Sequence, residues 1–336
     1  MRGLSLRSQR EFGKGHSNRG DLSVAGNVGI YLGIDLGGTR VKAARFTPDG
    51  VREASESAPS EAQGDADAIL EAIHSAGSSL AGNADLLGVG LGAAGLLDPE
   101  AGRILNSPNI PSLNGFDLKA RLQEAFGNVP VHMMNDANAA ALGEFHAGAG
   151  VDSSSMFLLT LGTGIGGGFV VNGKIWGGAA GVAAEAGHMC IQADGPLCHC
   201  GARGCLEACV SGWAFVRDAE EIARNTPASA IARLPSLTPL ALARLAEGGD
   251  AYARSLWEKA GTMLGTGIAN LMNLLNPDCV VLAGGLGKAG SLLLDPARRA
   301  WESQAFEEAH KSTAVKMGAL GEWAGVRGAI QPFLNP

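Results

Sequence analysis

Tyr31-Leu-Gly-Ile-Asp-Leu-Gly-Gly-Thr-Arg-Val-Lys-Ala-Ala-Arg-Phe46 reads as a strand, a glycine turn and a second strand. Ile34 and Leu36 flank Asp35 in the first apolar run, and Val41 to Phe46 resumes the β pattern after Gly37 and Gly38. The same order returns at Ser155 to Leu161, which ends in Gly162-Thr-Gly-Ile-Gly-Gly-Gly168 and is followed by Phe169-Val-Val171 and an Asn172-Gly173 hairpin signal. Asp35-Leu-Gly-Gly-Thr39 and Thr160-Leu-Gly-Thr-Gly164 are too short a match to establish a duplication. They predict two α/β lobes facing one another, each offering a glycine turn to a shared cleft.

The remaining punctuation is consistent with that plan. A helix is expected over residues 65–81, and Leu86 to Gly92 reads as a buried strand opening into Ala93-Ala-Gly-Leu-Leu-Asp98. Ser107 to Gly115 is a proline-pinned loop, followed by a helix that Asp117 can cap and Gly127 can end. Pro130 to Met134 is a strand that runs into Asn135-Asp136 and an alanine-rich helix reaching about His146. In the second half, Ser211 can cap one helix, and Thr238-Pro239 can start another that Gly248 stops. A long helix over 251–275 ends at Asn276-Pro277, and Cys279 to Ala283 is a buried strand feeding Gly284-Gly-Leu-Gly287. Two further helices are expected, over about 290–308 and about 322–334. Residues 1–29 carry five basic and two acidic side chains without hydrophobic periodicity, which predicts a mobile arm lacking the apolar core of a secretory signal.

Composition narrows the function classes. A chain of 336 residues can bury two cores, and a net charge of −7 disfavours broad electrostatic binding to nucleic acid or to anionic lipid. No apolar run reaches the roughly 18 residues that a membrane helix needs, so a cytoplasmic protein is expected. The 50 glycines are far above ordinary usage, and at the ends of apolar runs they let backbone approach a ligand.

A glycine turn at a strand end points successive backbone N–H groups into one concavity, which suits phosphate oxygens. Three such turns follow three apolar strands, at 37–38, 162–168 and 284–287. Thr163, Gly164 and Gly166 give a seat for terminal phosphates, and Gly284 and Gly285 suit the sugar and base of a nucleotide. No Lys-Ser/Thr closes any of these loops, so the pattern is not a Walker loop. Asp35 is either a carboxylate capping its own turn or the organiser of hydrated magnesium beside the phosphates. Asp136 is either a helix cap or a general base accepting the proton of a hydroxyl. Asn109, Asn135, Glu185, His188 and Glu207 supply polar partners for a polyhydroxylated ligand.

Residues 185–209 hold five of the six cysteines, together with two histidines and interleaved glycines. His188, Cys198, Cys200 and Cys205 have the composition and spacing of a closed tetrahedral zinc site, in which thiolates and one imidazole surround the ion. The competing readings are a disulfide pair or small buried apolar residues. Cys190 and Cys209 read as packing residues, and Cys279 as structural.

Asp35-Leu-Gly-Gly-Thr39, Asn135-Asp-Ala-Asn-Ala139, Leu161-Gly-Thr-Gly-Ile-Gly166, Glu185-Ala-Gly-His188, Cys198-His-Cys-Gly-Ala-Arg-Gly-Cys-Leu-Glu207 and Ala283-Gly-Gly285 occur in that order. Together they resemble the ROK family of sugar kinases and repressors, within the actin-like ATPase superfamily, over about residues 30–335. The resemblance implies an α/β fold of two ribonuclease-H-like lobes around a central cleft. The small lobe would comprise residues 30–148 with the returning segment 320–336, and the large lobe residues 149–319 with a zinc loop at 188–205. It implies structural zinc on His188, Cys198, Cys200 and Cys205. It implies a hexose held by Gly95, Asn109, Asn135, Asp136, Glu185, His188 and Glu207, with Asp136 as the base. ATP and magnesium would lie against Asp35, Gly37, Gly38, Thr39, Lys42, Thr163, Gly164, Gly166, Gly284 and Gly285.

Where the family has proline before Gly95, this chain has Ala94. The zinc-loop segment looks most like the bacterial glucokinase branch, so glucose is the expected acceptor; N-acetylmannosamine and other hexose kinases share nearly all of it. Polyphosphate is an alternative donor to ATP. A sugar-sensing regulator of the same family would place a winged-helix domain before the first glycine turn, and the 34 residues before Asp35 are too few for one. Family likeness implies a homodimer or homotetramer.

Overall fold

The structure is a computed structural model that describes residues 29–98 and 101–335. The arm expected over residues 1–29 lies, apart from Gly29, outside the described residues. The first half builds β1 (Ile30–Leu36), β2 (Arg40–Phe46), β3 (Arg52–Pro59), α1 (Ala66–Ala81), β4 (Leu86–Ala93), a small hairpin of β5 (Leu96–Asp98) and β6 (Arg103–Asn106), α2 (Leu118–Ala125), β7 (Val131–Asn135) and α3 (Asp136–Ala147). The second half builds β8 (Ser155–Leu161), β9 (Ile165–Val171), β10 (Lys174–Ile175), α4 (Leu206–Val210), α5 (Gly212–Asn225), α6 (Pro239–Glu247) and α7 (Ala251–Leu275). It continues with β11 (Cys279–Ala283), α8 (Ser291–Gln304), α9 (Glu307–Ser312), β12 (Ala314–Met317), α10 (Ala324–Ala329) and α11 (Gln331–Leu334).

The two sheets have one topology. Their strand orders are β3-β2-β1-β4-β7 and β10-β9-β8-β11-β12. In each, the strand before the glycine turn pairs antiparallel with the strand after it and parallel with the next one across, β1 with β4 and β8 with β11. The short echo between residues 35–39 and 160–164 therefore marks equivalent positions in two copies of one sheet plan.

The caps read from sequence are in place: Asp117, Ser211 and Thr238 each accept a backbone N–H at the start of α2, α5 and α6, and Asp65 does the same for α1. Asn276 turns left-handed (φ 42°) to end α7. Two expected helices are divided. The one over about 290–308 breaks at Ala305, where extended backbone (ψ 153°) separates α8 from α9. The one over about 322–334 becomes α10 and α11, because Pro332 restarts a short turn after Ile330. Strands β3, β5, β6 and β12 were not anticipated; β3 is largely exposed, so it lacks the apolar run by which the others are recognised.

The connection between halves is exchanged. Helix α3 follows a strand of the first sheet but buries Ala141, Leu142 and Phe145 against Met156, Leu158 and Val170 of the second. Helix α10 follows a strand of the second sheet but packs Val326 onto Ala44 and Phe46 of the first. Glycines inside the strands make this possible. A Cβ at Gly33 or Gly90 would stand 2.2 or 2.0 Å from backbone oxygens of Val326 and Ala329, and one at Gly166 or Gly168 would press on Ala137 and Ala141. The glycine excess is thus only partly a matter of turns; much of it clears strand faces for helices.

Candidate active site

One cavity of about 720 Å³ opens between the two sheets. Gly95, Asn109, Asn135, Asp136, Glu185, His188 and Glu207 all line it, with Thr163, Gly164, Gly166 and Gly284. Asp35, Gly37, Gly38, Thr39, Lys42 and Gly285 stand outside its walls, although Gly38 lies so close to Asn109 that a Cβ would sit 3.3 Å from it. Ala94, the departure from the family's proline, lines it too, as do Leu96, Asn106, Pro108, Thr160 and Val182, which sequence reasoning gives no site role. Of these Thr160 had a legible signal, a hydroxyl at the end of an apolar strand, and it accepts the N–H of Gly166 at 3.0 Å.

The junction of β7 and α3 supplies the central carboxylate. Asn135, not Asp136, is the helix cap: its Oδ1 accepts the N–H groups of Ala137 at 2.9 Å and Asn138 at 3.2 Å. The Asn135 amide donates to the Gly95 carbonyl at 3.1 Å, which ties the β4 loop to the helix start. Asp136 is then the first residue of the helix, with Oδ1 accepting from Ala137 N–H at 2.9 Å. Burial raises the Asp136 pKa above the ordinary carboxylate value, and its hydrogen bonds to backbone N–H hold the rise back. A carboxylate shifted this way is a better proton acceptor near neutrality.

Asp35 lies opposite Lys42 in the β1–β2 register, and the Lys42 Nζ is 3.8 Å from its Oδ2 and 3.8 Å from the Glu322 carboxylate. Burial pushes the Asp35 pKa up to about 6, the Lys42 charge lowering it and Asp136 raising it. The carboxylate also faces α10, where a Cβ on Gly325 would stand 3.2 Å from its Cγ. It is therefore not a solvated surface charge.

Glu207, on the unanticipated helix α4, works in two directions. Its Oε2 accepts the N–H of Ile165 at 2.9 Å, and a Cβ on Gly164 would lie 2.5 Å from the same oxygen. Its Oε1 lies 3.9 Å from Cys198 Sγ. The glycine turn after β8 and the cysteine cluster thus share one side chain. At the start of α5, Gly212 N–H donates to Gly162 O at 2.9 Å, and Trp213 stacks on His199 at 4.3 Å between ring centres.

The ligand atoms of His188, Cys198, Cys200 and Cys205 lie within 4.8 Å of one another. Cys200 and Cys205 sulfurs are 3.7 Å apart, and Cys198 Sγ is 3.7 Å from His188 Nδ1. Tetrahedral zinc with bonds of about 2.0–2.3 Å sets ligand atoms about 3.5–3.8 Å apart, so the donor set fits that ion. No disulfide forms among the described cysteines. Cys209 and Cys279 are buried as expected, whereas Cys190 is exposed and is not a packing residue. Partial burial raises the Glu185 pKa, with His188 drawing it down.

Two lobes of one sheet topology around a shared cavity define the actin-like ATPase fold. Comparison with known proteins agrees. The sequence signature of the ROK family matches residues 31–334, and the chain belongs to that family. It is 38% identical over 308 residues to the glucokinase of Halalkalibacterium halodurans, covering 89% of this chain and 93% of that one. Among solved structures it is similar to the ROK hexokinase of Thermus thermophilus, with TM-score 0.75 and 34% identity over 89% of this chain and 96% of that one. It is equally similar to the ROK glucokinase of Streptomyces griseus in complex with glucose and AMPPNP, with TM-score 0.75 and 33% identity over 89% and 97% of the two chains. Among the described residues no helix is long and apolar enough to cross a membrane.

Proposed function

We propose that the protein is an ATP-dependent hexose kinase that transfers the γ-phosphoryl group to the 6-hydroxyl of glucose. The observation that carries this reading is the shared cavity: a half-buried carboxylate, polar groups for a sugar and a glycine turn line one space. The sugar is held by Asn109, Asn135, Glu185, His188 and Glu207, with Gly95 at its edge, and Asp136 takes the 6-hydroxyl proton as the phosphoryl group moves. The nucleotide phosphates lie on backbone N–H groups at Thr163, Gly164 and Gly166, with the Gly37–Thr39 turn opposite and Gly284 and Gly285 beside the nucleoside. Magnesium bound with the nucleotide would supply neutralisation of phosphate charge; Asp35 would hold it, with Lys42 balancing the carboxylate. Positioning and charge stabilisation then carry most of the rate.

Zinc on His188, Cys198, Cys200 and Cys205 has a structural role: His188 and Glu207 sit at the boundary between that cluster and the cavity. A reducing cytoplasm keeps those thiols available. The relatives named glucokinase favour glucose among hexoses. The test is ADP release across a panel of hexoses and N-acetylhexosamines, with ATP and with polyphosphate as donors. Glucose with ATP should give the highest kcat/KM; preference for an N-acetylhexosamine, or absence of turnover with every sugar, would overturn the assignment.

A further inference from the structure

Glu144 is fully buried near the end of α3, at 0% exposure, and the phosphotransfer chemistry has no use for it. Its carboxylate accepts three backbone N–H groups: Ala149 at 2.9 Å and Ala319 at 2.9 Å on Oε2, and Leu320 at 2.8 Å on Oε1. Its carbonyl accepts two more, from Gly148 at 3.1 Å and Gly150 at 2.9 Å. These five donors come from the two segments that join the sheets, one between α3 and β8 and the other between β12 and α10. Lys316, on β12 just before the second segment, adds a tie to the first, its Nζ donating to Ala149 O at 3.0 Å. The space is sized for the carboxylate: a Cβ on Gly148 would stand 2.1 Å from Oε2, and one on Gly318 2.9 Å from Oε1.

The two helices tied at this point are the exchanged pair. Helix α3 rides on the second sheet and α10 on the first, and they touch backbone to backbone. A Cβ on Gly143 would lie 2.2 Å from Ala324 O, and one on Gly328 1.7 Å from Ala139 O. The two glycines also face each other, a Cβ on Gly328 standing 2.6 Å from Gly143 N, so the helices meet one residue from Glu144. Asp136 lies eight residues earlier on α3, about 12 Å away at 1.5 Å per residue. Glu144 fixes one end of this strut and Asp136 stands at the other, beside the cavity.

We propose that Glu144 is the pivot of lobe closure and hence a positioning residue: it locks both interlobe crossings to α3, so that the cleft closes about one point and Asp136 meets the sugar in register. This rests on the kinase reading above. With a lever of about 12 Å, a wobble of about 5° at the pivot moves Asp136 by about 1 Å relative to the first lobe, and misplacement on that scale costs up to about 100-fold in rate. Isolated carboxylates are seldom buried without a cation; here converging backbone dipoles take that part, as in an anion nest.

The test uses full-length wild type, Glu144→Gln and Lys316→Met with glucose and magnesium–ATP. Four quantities are read: kcat, the glucose dissociation constant, the ratio of ADP released to glucose phosphate formed, and the glucose-induced compaction in small-angle X-ray scattering. Wild type should compact and give a ratio near unity. Glu144→Gln puts an amide among backbone donors; kcat should fall about 10- to 100-fold, compaction should diminish, and excess ADP should appear as water reaches the unsealed phosphate. A merely structural role lowers the amount of active protein but leaves that ratio and the glucose dissociation constant unchanged. Should Glu144→Gln not fold, Lys316→Met, which removes only the tie between the two crossings, should show the same effects in weaker form. Wild-type compaction and ratio in the variant that folds overturn the pivot. Failure of wild type itself to phosphorylate any hexose counts instead against the kinase reading.

Discussion

Asp35→Asn should make the ligand-free protein more stable at neutral pH while impairing its use of magnesium–ATP. Burial lifts this carboxyl from 3.8 to about 6 in the folded protein, with Lys42 close by. Between those values the folded chain holds the proton more tightly than the unfolded one, so stability falls as pH rises from about 4 through 6. A shift of about 2 units at about 1.4 kcal/mol each sets an upper limit of about 3 kcal/mol, fully expressed at pH 7.5. The side chain is 20% exposed and Lys42 keeps Glu322 as a partner, so the variant should gain about 1–3 kcal/mol. Thermal melts without nucleotide, at pH 7.5 and at pH 5, measure this directly. The advantage should amount to a few degrees at pH 7.5 and shrink at pH 5, where the wild-type carboxyl is largely protonated. Adding magnesium–ATP should stabilise wild type much more than the variant. A variant no more stable than wild type at pH 7.5, or one whose advantage is undiminished at pH 5, would refute the argument that a buried charge is retained here at the expense of stability.

Asp136→Asn should lower kcat by about two to four orders of magnitude, the range for a lost general base, while calorimetry finds glucose affinity largely kept. Because burial raises the Asp136 pKa, the acid side of the wild-type kcat/KM profile should begin above the ordinary carboxylate range near 4. Gly328→Ala places a methyl against the Ala139 carbonyl and must force α10 from α3; denaturant melts should show a loss of about 1–3 kcal/mol. Purified protein should contain one zinc per chain, and chelation should weaken glucose binding as well as lower the melting temperature, since His188 and Glu207 both lie beside the cluster.

The sequence by itself determined the buried strands, most helix ends and the His/Cys set that the fold brings together. Apolar runs such as Cys279 to Ala283 and caps such as Ser211 or Asn276 act through neighbours a few residues away, so their signal is local and survives in one dimension. The cysteine and histidine ligands are likewise close in the chain, and so could be read from spacing. Tertiary structure alone decided that Asn135 rather than Asp136 caps α3. The two residues share the preferences of that position, and Asn135 is committed to it by accepting the Ala137 and Asn138 N–H groups while its amide is held by the Gly95 carbonyl of the loop after β4. It alone decided that α3 and α10 exchange sheets, because the glycines that permit this lie in strands where sequence reads them as turns or weak points. Glu144 in an alanine-rich helix shows the same limit most clearly: its partners are backbone N–H groups up to 176 residues away, and backbone groups carry no sequence signature.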